Sequence, residues 1–431
     1  MYALRPAFDT VADMIGKGKK VPESLLGIFA QNPEYSAKLD SLINAKDKVP
    51  FKIFDKKNAE KLFGKNLNIS ASQLEKFNLC RFSYFCNYGL NVRERQRAEI
   101  NPMQYGTIVH YILERFFGEY TKEEYLSLEE DKFQKIVCAY LAEYAVKYFG
   151  EEQLESNSFT YRLKTILDNV MYLMKHIMEE LSQSEFFVAD CELKIGEDIP
   201  SYTIVLPDGH KIAVCGSVDR VDIMQRADIT YLRIIDYKTG TKQFKLSDIL
   251  YGINLQMLLY LHSIEASGGD KYGEIVPAGI LYMPATVPYI SSDSLKSIDK
   301  LPDELNKKLK MNGLLLKDTE IIHGMDKTDV ATYIPVKIKA GEPVSSTSLA
   351  TLAEFGKIFK KVDMLIAEMG KNIYNGNIEA KPLKGGHDSC EYCPYDSVCA
   401  YRQSNPITCF SVDNKTVIEE ITNEINGKEE E

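Results

Sequence analysis

The segment CEYCPYDSVC places Cys390, Cys393 and Cys399 in a C-x2-C-x5-C spacing, and no other feature of the chain restricts its folding as much. Thiols this close together, with Pro394 fixing the turn between them, point to metal ligation. Three ligands need a fourth. Cys80, in the aromatic segment LCRFSYFC, is the leading choice, and Cys86 in the same segment is its rival. Zinc and a [4Fe–4S] cluster both accept four thiolates, so spacing does not separate them. A bond between the segments around Cys80 and Cys390 closes a loop of roughly 300 residues, which lowers the entropy of the unfolded chain and makes the centre structural. Every element between must then fold inside that clamp.

The chain holds nine cysteines. Its N-terminus, MYALRPAFDTVADMIGKGKK, lacks the apolar stretch of a secretory signal, and no apolar run is long enough to span a bilayer. A cytoplasmic location is expected, where clustered cysteines serve metals rather than disulfides. Cys138, Cys191, Cys215 and Cys409 stand alone and read as small core residues, as does Cys86 if Cys80 is the ligand.

Within the loop, LRIIDYKTG runs strand-like into Asp236 and Lys238, with Gly240 ending the strand. Residues two apart on a strand face the same way, so this carboxylate and ammonium project side by side. Such a pair suits phosphodiester hydrolysis: the carboxylate holds a divalent cation and the lysine orients water or neutralises developing charge. Alone, D-x-K is very common and far more often a surface ion pair at a strand end. Upstream, GSVDRVD places Asp219 in a second β run, which gives Mg²⁺ two oxygen ligands from adjacent strands. Asp222 could substitute for Asp219, or pair with Arg220 or Arg226. His110 and Glu114 share a helical face in GTIVHYILE, and Gln256 and Tyr260 share another in NLQMLLYLH. Periodicity by itself makes His110 and Tyr260 core residues and Gln256 a cap.

The remaining pattern sets the organisation. Residues 1–65 look helical, with breaks at Pro22, Pro33 and Pro50. Ser70 or Ser72 caps a helix in which Glu75 suits the first turn. NVRERQRAEINP is a polar connector. Gly106-Thr107 precedes the first of the long amphipathic helices expected over 103–180. Residues 186–240 turn β-rich, with Asp208-Gly209 as a hairpin signal. Next come a helix near 246–264 and two strands near 276–291. Residues 292–345 look like a polar insertion, Ser348 to Asn375 like one long helix stopped by Gly376, and the tail after 411 like a frayed end. No internal repeat or P-loop is visible. Three segments are expected: 1–65, 66–410 and an acidic tail, 411–431. A net charge of −10 excludes a histone-like nucleic-acid binder but not a nuclease with local DNA contacts.

Taken together, SASQLEKFNLCRFSYF, GTIVHYILE, CGSVDRVD, IIDYKTG, QMLLY, KMNGLLLKD, IYNGNIEAKP and CEYCPYDSVC, in that order, resemble the RecB-type PD-(D/E)xK nuclease family, in its iron–sulfur form. The resemblance runs from about residue 66 to 402 and implies an α/β restriction-endonuclease-like fold, a central mixed sheet flanked by helices. It implies catalytic Mg²⁺ on His110, Asp219 and Asp236, with Lys238 as catalytic lysine and Gln256 and Tyr260 as active-site supports. It implies a [4Fe–4S] cluster on Cys80, Cys390, Cys393 and Cys399. It also implies a metal-dependent deoxyribonuclease acting on single-stranded DNA ends in double-strand-break repair, with an AddA-like helicase–nuclease subunit as partner. Residues 1–65 would then be the end of a helicase-like part and the chain a fragment or a short relative. Two other readings remain: a catalytically silent DNA-end-binding module, and a stand-alone CRISPR-type iron–sulfur exonuclease, which the length disfavours.

Overall fold

The hydrophobic runs of the chain's middle third become the strands of one sheet. In the computed structural model, which describes residues 4–16, 19–44, 52–92, 102–150, 156–240, 243–287, 301–345, 347–399, 401 and 406–429, six strands form it. They are β1 (Phe187–Ile195), β2 (Gly216–Arg226), β3 (Ile229–Lys238), β4 (Glu274–Pro284), β5 (Asn312–Leu316) and β6 (Leu349–Ala350). They lie side by side in the order β6-β5-β4-β3-β2-β1. The β1–β2, β2–β3 and β4–β5 pairs are antiparallel, while β3–β4 and β5–β6 are parallel. The expected central mixed sheet is therefore present. β3 and β4 lie in its middle, buried on both faces, which is why AGILYM reads as a continuous apolar run and YLRII is broken only by Arg233.

Four helices frame the sheet and its site: α1 (Pro102–Glu119), α2 (Asn157–Gln183), α3 (Gln256–Ser267) and α4 (Leu352–Tyr374). α1 packs on β1 through Ile108, Val109, Ile112 and Phe116, all buried, so the apolar stripe read from the sequence is its inner face. The helix begins at Pro102, before Gly106-Thr107, because these two residues continue the helix instead of starting it. α3 packs on β4 and β3, with α4 behind it. Thr351 caps α4 in a capping box with Glu354, so Ser348 lies outside the helix, next to β6. Gly376 ends this region at φ +70°, where a Cβ would sit 2.0 Å from the Ile53 carbonyl oxygen.

The Asp208-Gly209 hairpin forms as expected, with Gly209 at φ +89° joining strands Thr203–Val205 and Lys211–Val214. These pair with Asn66–Ile69 in a separate three-stranded sheet.

Three expectations change. The chain divides into compact units at Met1–Lys52 and Ile53–Glu431, not after residue 65. In the first unit, helices Leu4–Gly16, Glu23–Ala30 and Ser36–Asn44 close around Phe8, Phe29 and Tyr35. Helix Lys56–Phe63 belongs to the second, where Ala59 is buried and Phe63 stacks on Tyr84. The stretch read as a polar insertion supplies β5, whose Leu314 and Leu315 are fully buried. Its charged residues lie at the ends of the short strand and in the flanking helices, which made the stretch look polar. The acidic tail is a helix, Asn414–Glu429, docked on α4 through Val417 and Ile421, with Lys361 paired to Glu424 at 2.6 Å. One strand, β4, occupies the first part of 276–291; residues 288–291 and the connector at 93–101 lie outside the described residues. Among the described residues no helix is long and apolar enough to cross a membrane.

Candidate active site

Asp219 on β2 and Asp236 on β3 lie on neighbouring antiparallel strands, on the same face of the sheet. Asp236 is 2% exposed, and Lys238, two residues further along β3, forms an ion pair with its Oδ2. The Lys238 ammonium also lies 5.7 Å from the centre of the Tyr282 ring on β4. Asp219 Oδ2 accepts a hydrogen bond from the Tyr237 backbone N–H at 3.0 Å. Burial, reinforced by the negative charge of Asp236, pushes the Asp219 carboxyl up to about 7. Two close carboxylates in a dry setting repel each other, and a bound cation relieves that repulsion.

His110 reaches this pair from the middle of α1. Its Nε2 stands 3.6 Å from Asp219 Oδ2, and its ring meets Tyr237 edge-on at 5.8 Å. Burial disfavours the charged imidazole, but the hydrogen bond to Glu192 and the charge of Asp219 outweigh it, so the His110 pKa is raised. The histidine is therefore no bland core residue. Glu114, one turn on, stays exposed.

Sequence reasoning missed Glu192. Its Oε1 lies 2.8 Å from His110 Nδ1, and its Oε2 accepts from the Ser217 hydroxyl at 2.8 Å. Burial works against its charge, but the His110 and Ser217 hydrogen bonds prevail and lower its pKa. Ligand atoms of His110, Glu192 and Asp219 all lie within 4.8 Å of one another, a group able to hold a metal ion. The residue sits inside β1 at φ +50°, a conformation few non-glycine residues adopt. The only sequence signal was an acid, one of two with Asp190, in the β run FFVADCELKI.

Asp222 does not belong to this set. It is fully buried and held by Arg220 at 2.7 Å and Arg233 at 3.0 Å, with Glu180 of α2 completing the network. Its side chain projects from the sheet face opposite to Asp219. Arg220 also reaches the Tyr237 hydroxyl at 3.3 Å, so the network lies directly under the strands that carry the two aspartates. Of the supports, Tyr260 is buried with its hydroxyl over Gly216: a Cβ there would stand 2.2 Å from that oxygen, so only glycine fits. Gln256 opens α3, and its backbone N–H and that of Leu255 donate to Glu75 Oε1. Glu75 thus caps α3, a different helix, while Ser70 and Gln73 form the capping box of its own.

The cysteine segments also meet. Cys80, Cys393 and Cys399 pack around Phe82, Cys86 and Tyr395. Burial raises the Cys390 thiol pKa against the pull of Lys384, and Cys393 adds a little to the rise. Tyr395 ties the two segments together independently, donating to Asn87 Oδ1 at 2.7 Å and to the Val92 carbonyl at 3.0 Å. Burial raises the Cys80 thiol pKa against three backbone N–H groups, of Ser83, Phe82 and Lys381, that donate to its sulfur. Burial also raises that of Cys86, where only neighbouring cysteines contribute further.

A mixed sheet whose neighbouring strands present Asp219, Asp236 and Lys238 beneath a helix histidine offers ligand atoms able to hold a metal ion. The chain matches the PD-(D/E)XK nuclease superfamily over residues 68–400 and belongs to it. It is 34% identical to the B subunit of the ATP-dependent helicase/deoxyribonuclease of Thermoanaerobacter sp. (strain X514) over 354 residues, 79% of this chain and 30% of that protein. Identity to the proteins of the same name is 33% in Ruminiclostridium cellulolyticum (89% of this chain, 34% of that protein) and 35% in Clostridium kluyveri (88% and 34%). The chain thus spans about a third of the length of these curated relatives.

Proposed function

We propose that this chain is the nuclease module of an AddB-type protein: a Mg²⁺-dependent deoxyribonuclease acting on single-stranded DNA ends during double-strand-break repair in the cytoplasm. An AddA-like helicase–nuclease subunit is its partner. The observation that carries the reading is the convergence of His110, Asp219 and Asp236 from three elements, with Lys238 beside them.

In this reading His110, Asp219 and Asp236 hold Mg²⁺, and the ion, when bound, polarises the phosphate and acidifies an attacking water. Glu192 accepts the His110 Nδ1 proton, which fixes the ring and leaves Nε2 directed at Asp219. Lys238 places its ammonium beside the Asp236 carboxylate, where it balances charge that builds on the phosphate. Gln256 and Tyr260 support the strand ends from α3. Cys80, Cys390, Cys393 and Cys399 hold a [4Fe–4S] cluster as a structural clamp; the N–H donors around the Cys80 sulfur favour a thiolate there and favour Cys80 over Cys86 as fourth ligand.

The test is Asp236→Ala, and Lys238→Ala beside it, assayed on a single-stranded oligonucleotide with Mg²⁺. Both should abolish cleavage with the melting temperature nearly unchanged, and Lys238→Ala should keep Mg²⁺ binding. Cleavage by Asp236→Ala near the wild-type rate sinks the assignment.

A further inference from the structure

The strand that carries Asp236 and Lys238 runs out into a cavity of about 680 Å³, which begins at Thr239 and Gly240. Its far wall comes from the stretch between β4 and β6 that the sequence presented as an insertion. Lys307 and Lys308 stand exposed on helix Leu301–Leu309, and Thr286, Thr347 and Ser348 add hydroxyls. Lys310 also lines it, its ammonium donating to the carbonyls of Ala331 and Val336 at 2.6 and 3.0 Å. Among the described residues no carboxylate lines it, although the chain carries a net charge of −10. A second cavity, of about 650 Å³ beside the C-terminal end of α1, is different: Glu119, Glu123 and Glu185 surround its single Lys122.

Phe244 supplies an aromatic wall to the cavity and is half-buried. Its backbone N–H donates to Asn312 Oδ1 at 2.7 Å, which anchors the loop that carries the ring to β5. Two exposed cations, several hydroxyls and a fixed ring are the parts that grip a single strand: lysines and hydroxyls take phosphates, and a ring takes one face of a base. Paired bases in a duplex offer no free face for such a ring. Lys238 stands next to the cavity: it precedes Thr239 in the chain and pairs in register with Pro284, both lining residues.

We propose that this cavity seats the nucleotides next to the scissile phosphate of single-stranded DNA, with Lys307 and Lys308 on the phosphates and Phe244 against a base. The inference rests on the nuclease reading for its substrate and gives the stretch between β4 and β6 its role. The full chain is titrated with a fluorescein-labelled oligodeoxythymidylate in Ca²⁺, at several salt concentrations, so that binding is read without turnover. Lys307→Ala/Lys308→Ala should weaken binding about tenfold at 0.15 M salt and flatten the slope of log K against log salt by about 1.4, from roughly 0.7 per lost phosphate contact on a single strand. Phe244→Leu should weaken binding without altering that slope, and Lys56→Ala/Lys57→Ala, on a distant exposed helix, should match the wild type. In Mg²⁺, the paired lysine variant should raise KM more than it lowers kcat. Wild-type affinity and slope in that variant, or tighter binding of blunt duplex than of single strand by the wild type, overturns the proposal. Binding that depends on the lysine pair in a protein that cleaves no DNA keeps the cavity and removes the nuclease reading; cleavage with no dependence on the pair does the reverse.

Discussion

Glu192 Oε1 stands 2.8 Å from His110 Nδ1, and this contact joins β1 to α1 across the mouth of the carboxylate pair. Glu192 holds its place at φ +50° within a strand, a backbone conformation that costs free energy and persists only where surrounding contacts enforce it. Replacing its carboxylate should leave the fold in place and disturb the ring. Glu192→Gln is expected to raise the Mg²⁺ concentration required for half-maximal activity by about 10- to 100-fold, the usual effect of losing such a supporting partner. A metal titration of cleavage rate checks this, and an unchanged midpoint makes Glu192 irrelevant to the ion.

The Arg220–Asp222–Arg233–Glu180 network has no exposed member. Removing one partner leaves uncompensated charge in the core, so Asp222→Ala should destabilise the chain by about 3–5 kcal/mol. Urea unfolding followed by circular dichroism measures it; the chain has no Trp, so fluorescence is a poorer monitor. A loss within about 0.5 kcal/mol, typical of surface substitutions, would mean the network is dispensable.

His262 on α3 carries a pH dependence of its own. Burial alone lowers its pKa, but the hydrogen bond with Asp363 at 3.0 Å and the Glu265 carboxylate 3.7 Å away outweigh burial and lift it to about 9. A histidine whose folded pKa lies above its unfolded value of about 6.5 adds stability that is complete below 6.5 and fades as pH rises through 9. The stability difference between wild type and His262→Gln should therefore shrink between pH 6.5 and pH 10. A difference that stays constant across that range removes the charged His262 from the account.

Cys393→Ser should fail differently from Asp236→Ala. The ligands of a metal centre act as one folding unit, so losing one thiolate should empty the cluster, with loss of the broad absorption near ~400 nm and a lower melting temperature. Tyr395 should limit the damage, because its hydrogen bonds to Asn87 and Val92 hold the two segments together without metal. Cys80→Ser should behave like Cys393→Ser, while Cys86→Ser and Cys138→Ser should keep their iron. Iron retained by Cys80→Ser and lost by Cys86→Ser would exchange the fourth ligand, and stoichiometric zinc in anaerobically prepared protein would change the metal.

Some of this was legible in the residues alone. Asp236 and Lys238 had to share a face, because a strand's side-chain period is two, and the Asp208-Gly209 turn had to close a hairpin. The amphipathic character of α1 came from periodicity, and the strand character of β3 from the residues that run into Asp236. Tertiary structure alone decided between Asp219 and Asp222, since both lie in one strand and only the opposite face carries Arg233 and Glu180 to neutralise Asp222. It made β5 a core strand, because Leu314 and Leu315 are buried by β4 alongside and not by any local pattern. It brought Glu192 to His110 through a backbone angle no spacing rule anticipates. Local sequence fixes which way a side chain leaves its own element; which partner it meets depends on packing between elements distant in the chain, and the choice of ligands and buried ion pairs is made there.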